Sequence, residues 1–96
     1  MNWRWLPTSS VLGAHQKSLF AFGGPDGVRD RAMLESALAR AKNLAAYEDP
    51  DCCRLAAAYA YGLVQNHPFV DGNKRTSFLA AFMFLELNDF ELVALE

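Results

Sequence analysis

Apolar residues return at three- and four-residue spacing in four stretches of the chain, each bracketed by residues that start or stop a helix. In the first stretch, Val11, Leu12, His15, Leu19 and Phe22 mark the inner face of a helix running to about Phe22, with Thr8, Ser9 or Ser10 able to cap it. Gly23-Gly24-Pro25-Asp26-Gly27 then stops it, because glycine permits positive φ and proline cannot continue a helix. Asp30 can cap a second helix, in which Met33, Leu34, Ala37, Leu38 and Ala41 form one stripe. Asp49-Pro50-Asp51 starts a third: a capping carboxylate, proline at the first helical position, and an acid facing the helix dipole. Pro68 pushes its predecessor towards extended geometry, so this helix ends at Asn66 or His67. The fourth begins inside Asp71-Gly72-Asn73 and runs to about Leu87, with Asn88 as an αL stop. Past Ser77 it is apolar almost all round, which predicts a central, enclosed helix. Phe90 to Glu96 is too short to assign. The pattern predicts an all-α fold, one domain over residues 1–96, without repeats or low-complexity segments.

Composition narrows the class. With 52% hydrophobic and 21% charged residues the chain reads as an ordinary globular domain, and its 96 residues predict modest stability. A net charge of -2 with scattered Lys and Arg gives no footprint for a nucleic-acid backbone, although a few cations at one place suffice for a single nucleotide. The only cysteines, Cys52 and Cys53, are neighbours, about 3.8 Å apart at Cα and closer than an unstrained disulfide spans. They read as small packing residues in a reducing compartment. No apolar h-region follows Met1 to Trp5, and the most apolar run, Phe78 to Leu85, is far below the roughly 20 residues of a membrane span. These features predict a cytoplasmic protein without a membrane role.

The candidate chemistry lies in His67-Pro68-Phe69-Val70-Asp71-Gly72-Asn73-Lys74-Arg75, a loop-to-helix junction. The first turn of a helix leaves N–H groups without intrahelical partners at the positive end of the dipole, where phosphate oxygens fit. Gly72 removes the Cβ that would block close approach, and Lys74 and Arg75 add a mobile point charge and a planar fork. Asp71 offers the hard anionic oxygen used by Mg²⁺ bound to phosphates. His67 supplies an imidazole, the side chain that exchanges protons near neutral pH. Each piece has a plainer reading: a turn or cap for Asp71, a structural histidine, a solvated Lys-Arg pair. Two cations on a helix's first turn oppose its dipole unless an anion compensates, and such a broken local rule is expected at functional sites.

The segment resembles the signature of the Fic/Doc family, His-x-Phe-x-(Asp/Glu)-(Gly/Ala)-Asn-x-(Arg/Lys), at His67, Phe69, Asp71, Gly72, Asn73 and Arg75. Gly23 to Asp30, Leu34-Glu35-Ser36-Ala37-Leu38 and Phe84-Leu85-Glu86-Leu87-Asn88 are similar to its death-on-curing toxin branch, and the likeness runs from about Val11 to Leu92. The resemblance implies a compact helical domain around a central buried helix. It also implies His67 as the catalytic base towards a target hydroxyl, Asp71 as the Mg²⁺ ligand, and Gly72, Asn73, Lys74 and Arg75 as the ATP phosphate site. The loop from Gly23 to Asp30 looks like the flap that docks target protein in relatives.

Two departures shape the functional expectation. Adenylylating members carry Gly after the Asn and a second Arg three residues after the first, where this chain has Lys74 and Phe78. The toxin branch shares Asn-Lys-Arg, and in it the γ-phosphate of ATP passes to a threonine of translation elongation factor Tu. The resemblance therefore implies a toxin kinase of a type II toxin–antitoxin system that halts protein synthesis. Adenylyl transfer, or a non-catalytic module, are the alternatives. Relatives also continue past the position matching Glu96 into further helices that close the core. The C-terminal helices are expected to be missing here, through truncation, exchange between protomers or reliance on a partner, so the fourth helix is expected to need a homodimer or a segment of a Phd-like antitoxin over it. No internal inhibitory Ser/Thr-x-x-x-Glu-Gly/Asn motif occurs, so restraint is expected from that separate antitoxin.

Overall fold

A computed structural model describes residues 2–90, and four helices account for most of them: α1 (Thr8–Phe22), α2 (Arg31–Tyr47), α3 (Cys52–Asn66) and α4 (Asn73–Leu87). Past Phe90, the unassigned C-terminal stretch lies outside the described residues. The all-α prediction holds. Among the described residues no helix is long and apolar enough to cross a membrane.

The helix ends follow local chemistry, with three shifts from expectation. α1 is preceded by Pro7, whose backbone is extended, and no side chain of Thr8, Ser9 or Ser10 caps it; the Pro7 carbonyl accepts from Ser10 N–H at 3.0 Å instead. Asp30 caps α2 as expected, accepting from Met33 N–H. At α3 the cap is Asp51, not Asp49: its carboxylate accepts from Arg54 N–H at 2.8 Å, and Pro50 is buried just outside the helix. At the end of α4, Asn88 is not left-handed; Asp89 takes that conformation at φ 63°. Asn88 uses its amide to join Arg4 to the last turn of α4.

The core sits where α3 packs against α2 on one side and α4 on the other, while α1 covers another part of α4. At the α2–α3 crossing a Cβ on Gly62 would meet the Ala37 carbonyl oxygen at 2.9 Å, so glycine sets how near the two helices come. The N-terminal segment lies against α4: Trp3, Trp5 and Tyr59 surround the fully buried Phe84, and the Tyr59 hydroxyl accepts from Leu6 N–H. α4 is therefore central, but the molecule measures only 38 × 36 × 19 Å and among the described residues one face of the helix is uncovered. Ala80, Phe84 and Leu85 are buried, whereas Phe78, Leu79 and Phe82 face solvent. Phe22 and Met33, expected on inner faces, are exposed as well.

The cysteines form no disulfide. Cys52 packs in the core, where burial and then the neighbouring Cys53 and Asp51 push its thiol pKa up, away from the reactive thiolate. Cys53 is exposed.

Candidate active site

The chain between α3 and α4 makes a sharp return, and two residues with positive φ shape it. His67 ends α3 in the left-handed region (φ 51°, ψ 54°), not in the extended geometry expected before Pro68, and Gly72 precedes α4 with φ 80°. Only glycine adopts the second without strain, and histidine tolerates the first better than most residues. Between them Pro68 and Phe69 are buried, so the loop is packed against the core.

Asn73 is the hub of this loop. Its Oδ1 accepts from Phe69 N–H at 3.0 Å, and its Nδ2 donates to the Phe69 carbonyl at 2.9 Å and to His67 Nδ1 at 3.2 Å. The two bonds to Phe69 fix which way the amide points. The side chain is thus engaged inside the loop, and what Asn73 can offer an anion is its backbone N–H. Asp71 Oδ1 accepts from the N–H of the next residue, Gly72, at 2.8 Å, and no side chain caps α4.

The segment before α2 forms the other wall. Val28 and Phe69 make an isolated antiparallel bridge, and Val70 N–H donates to the Gly27 carbonyl while Arg29 N–H donates to that of Pro68. Arg29 also donates from Nε to the His67 carbonyl (2.8 Å) and from Nη2 to that of Asn66 (3.0 Å). A cation from a distant loop thereby satisfies the last carbonyls of α3, the end that its charge favours. Gly24, at φ 119°, brings its Cα against Asp71 so closely that a Cβ would collide with the carboxylate oxygen Oδ2.

The result is a cavity of about 310 Å³ lined by His67, Val70, Asp71, Gly72, Asn73, Lys74 and Arg75. All six site residues expected from the sequence line this one cavity. No side chain caps α4 and its first turn carries no acid, so its N-terminal N–H groups face the cavity end of the helix uncompensated. Lys74 is exposed, and neither it nor Arg75 has an acidic partner among the described ion pairs. Arg75 is held by α1: Nε donates to the buried Ser18 hydroxyl at 3.1 Å, and the guanidinium lies 4.8 Å over the Phe22 ring. This explains the exposed Phe22: it supports a cation.

Three contributors escaped sequence reasoning. Ser18 gave no signal beyond being polar, and Arg29 stood in the Gly23–Asp30 stretch without a role of its own. His15 stood in the inner stripe of α1 and passed for a core residue; it is buried, stacks on Phe69 and reaches Asp71. A histidine in an otherwise apolar stripe was the available clue. Such an arrangement can bind a polyanion at the α4 N-terminus and hold an imidazole and a carboxylate beside it.

"Toxin Doc" of Mycolicibacterium smegmatis is 43% identical over 76 residues, a stretch covering 77% of this chain and 58% of that relative. This chain thus matches less than two thirds of the relative's length. The Fic/DOC family matches residues 5–85, which include all of α1, α2 and α3, most of α4 and every residue lining the cavity. The chain with this cavity at its α3–α4 return belongs to the Fic/DOC family.

Proposed function

We propose that the chain is a toxin that phosphorylates protein, transferring the γ-phosphate of ATP to a threonine or serine hydroxyl of translation elongation factor Tu. The observation that carries this reading is Lys74 at the cavity, beside an uncapped helix N-terminus, with Phe78 exposed and outside the cavity lining. A side chain at position 74 occupies the space that glycine leaves open in adenylylating members, and no second arginine clamps an α-phosphate from position 78. The phosphates would lie against the N–H of Asn73, and against that of Gly72 once its bond to Asp71 Oδ1 opens, with Lys74 and Arg75 balancing their charge.

Asp71 fits a Mg²⁺ that arrives with nucleotide. Among the described residues no cluster of three or more His, Cys, Asp or Glu side chains forms a protein cage, and Mg²⁺ on phosphates needs only one or two carboxylates. When bound, the ion would neutralise charge on the phosphate oxygens. Its ligand is aimed by Gly24. Gly24→Ala therefore displaces the Asp71 carboxylate and is expected to weaken Mg²⁺ use by roughly 10- to 100-fold, the range for residues that orient a metal ligand. A titration of Mg²⁺ at saturating ATP reads this, and an unchanged half-saturation point removes Gly24 from the site.

His67 accepts the hydroxyl proton as the oxygen attacks phosphorus and ADP leaves. In the resting arrangement Asn73 donates to Nδ1, so the neutral ring carries its proton on Nε2. Proton acceptance begins with that contact opening. It is the longest of the three bonds Asn73 makes, and His67 is exposed enough to turn.

Incubation with elongation factor Tu and ATP labelled at either the α or the γ position tests the proposal: label on the factor only from γ-ATP is expected. Lys74→Gly extends the test. It is expected to lose kinase activity, with at most weak AMP transfer because Phe78 is no phosphate ligand. Unchanged γ-transfer in that variant takes Lys74 out of the choice of reaction. A cognate Phd-like antitoxin is the partner this reading requires, and the open face of α4 at Phe78, Leu79 and Phe82 is the apolar surface available to it.

A further inference from the structure

His15 makes a bond that the proposed chemistry does not use. Its Nε2 lies 2.8 Å from the backbone oxygen of Asp71. A carbonyl oxygen only accepts, so the ring must carry a proton on Nε2. The side chain is 2% exposed, its ring lies parallel to Phe69 at 3.8 Å between centroids, and its edge is 3.5 Å from where a Cβ of Gly72 would stand. One residue from the middle of α1 thus touches Phe69, Asp71 and Gly72.

The consequence lies in the peptide bond between Asp71 and Gly72. It is trans, so its C=O and N–H point in opposite directions. His15 draws the carbonyl towards α1, which turns the Gly72 N–H the other way, onto the carboxylate of Asp71, a residue that lines the cavity. Glycine at position 72 makes this orientation accessible at φ 80°, but glycine adopts negative φ about as readily. A flipped peptide would aim a carbonyl dipole's negative end at the place proposed for phosphate. The glycine that allows the cradle also allows its loss, and something outside the loop must choose.

We propose that His15 is a positioning residue: through its Nε2–H bond to the Asp71 carbonyl it locks the Asp71–Gly72 peptide with its N–H, rather than its C=O, towards the anion site. The lock rests on the anion-site reading given above, but the orientation of the peptide is measurable without it. His15→Phe keeps the ring that stacks on Phe69 and removes the donor. His15→Gln places an amide N–H near the same point.

The experiment is an NMR titration of the full chain with inorganic phosphate, following the Gly72 and Asn73 amides and the Asp71 carbonyl carbon. In the wild type, phosphate is expected to move the Gly72 amide. His15→Phe is expected to shift the Asp71 carbonyl and Gly72 amide before any phosphate is added and to weaken binding about tenfold or more, while His15→Gln restores most of both. If His15→Phe stays folded with both signals and the affinity unchanged, His15 is a packing residue and the proposal fails. If the signals shift in His15→Phe but phosphate moves nothing in the wild type, the lock stands and the anion-site reading falls. Imidazole nitrogen spectra of the wild type give a test independent of how the variants fold. His15 is expected as the Nε2–H tautomer with a slowly exchanging proton, and an Nδ1–H tautomer overturns the proposal.

Discussion

His67→Ala is expected to lower phosphate transfer to elongation factor Tu by about 10²–10⁴-fold, the contribution of a general base, while the chain remains folded. The expectation of a retained fold comes from placement: His67 is exposed and, among the described residues, its ring bonds to Asn73 Nδ2, which keeps its bond to the Phe69 carbonyl when His67 is gone. The backbone is the complication. His67 sits at φ 51°, and alanine tolerates the left-handed region less well than histidine or asparagine. His67→Asn separates the two effects, since asparagine suits that backbone and cannot take up a proton near neutral pH. Both variants are expected to be inactive, with Asn melting closer to the wild type than Ala. Initial rates with γ-labelled ATP decide it: near wild-type turnover in the Asn variant would remove His67 from the proton transfer. Loss in Ala alone would assign the effect to the turn.

The helices were legible because their signals are local. Asp30 and Gly23 act within one or two residues of themselves, and the structure uses each as the chain pattern predicts; Pro68 ends α3 at Asn66 as predicted, but His67 before it is left-handed rather than extended. The cap of α3 moved from Asp49 to Asp51 because both acids flank Pro50 and either suits a helix start; which one serves depends on how Pro50 packs into the core. The motif was legible for the same local reason: seven residues of the His67–Arg75 segment line the cavity because they are neighbours in one stretch of chain. What could not be read was everything brought from elsewhere. His15 and Asp71 are 56 residues apart, Arg29 and His67 are 38 apart, and Ser18 and Arg75 are 57 apart. No period or spacing relates such pairs. The apolar circumference of α4 was read as enclosure, yet Phe78 and Phe82 remain exposed, since periodicity reports which sides are apolar and not whether a neighbour is present.

Phe84→Ala is expected to cost about 3–5 kcal/mol, the range for removing a buried aromatic ring, and to unfold much of the population. Phe84 is fully buried, with Tyr59 at 5.1 Å, Trp5 at 5.9 Å and Trp3 at 6.3 Å between ring centroids. Two of these rings come from the extended segment before α1, one from α3, and Phe84 itself from α4. The ring therefore joins three parts of the chain, and the cavity left by alanine cannot collapse without moving the N-terminal segment off α4. Burial raises the pKa of the Tyr59 phenol beside it, partly opposed by the bond from Leu6 N–H, so the hydroxyl stays protonated inside this cluster. Natural domains hold roughly 0.05–0.15 kcal/mol per residue, so a change of this size takes a large share of what a chain this short possesses. At about 4–8 °C per kcal/mol for domains of this length, the melting temperature is expected to fall by roughly 12–40 °C. Phe78→Ala is the internal control: the residue lies on the same helix but is exposed, and its loss is expected to stay within about 0.5 kcal/mol. Thermal melts of the two variants side by side decide the matter. Equal melting temperatures would mean that the aromatic cluster does not hold the N-terminal segment to α4, and that the core lies in the α2–α3 crossing alone.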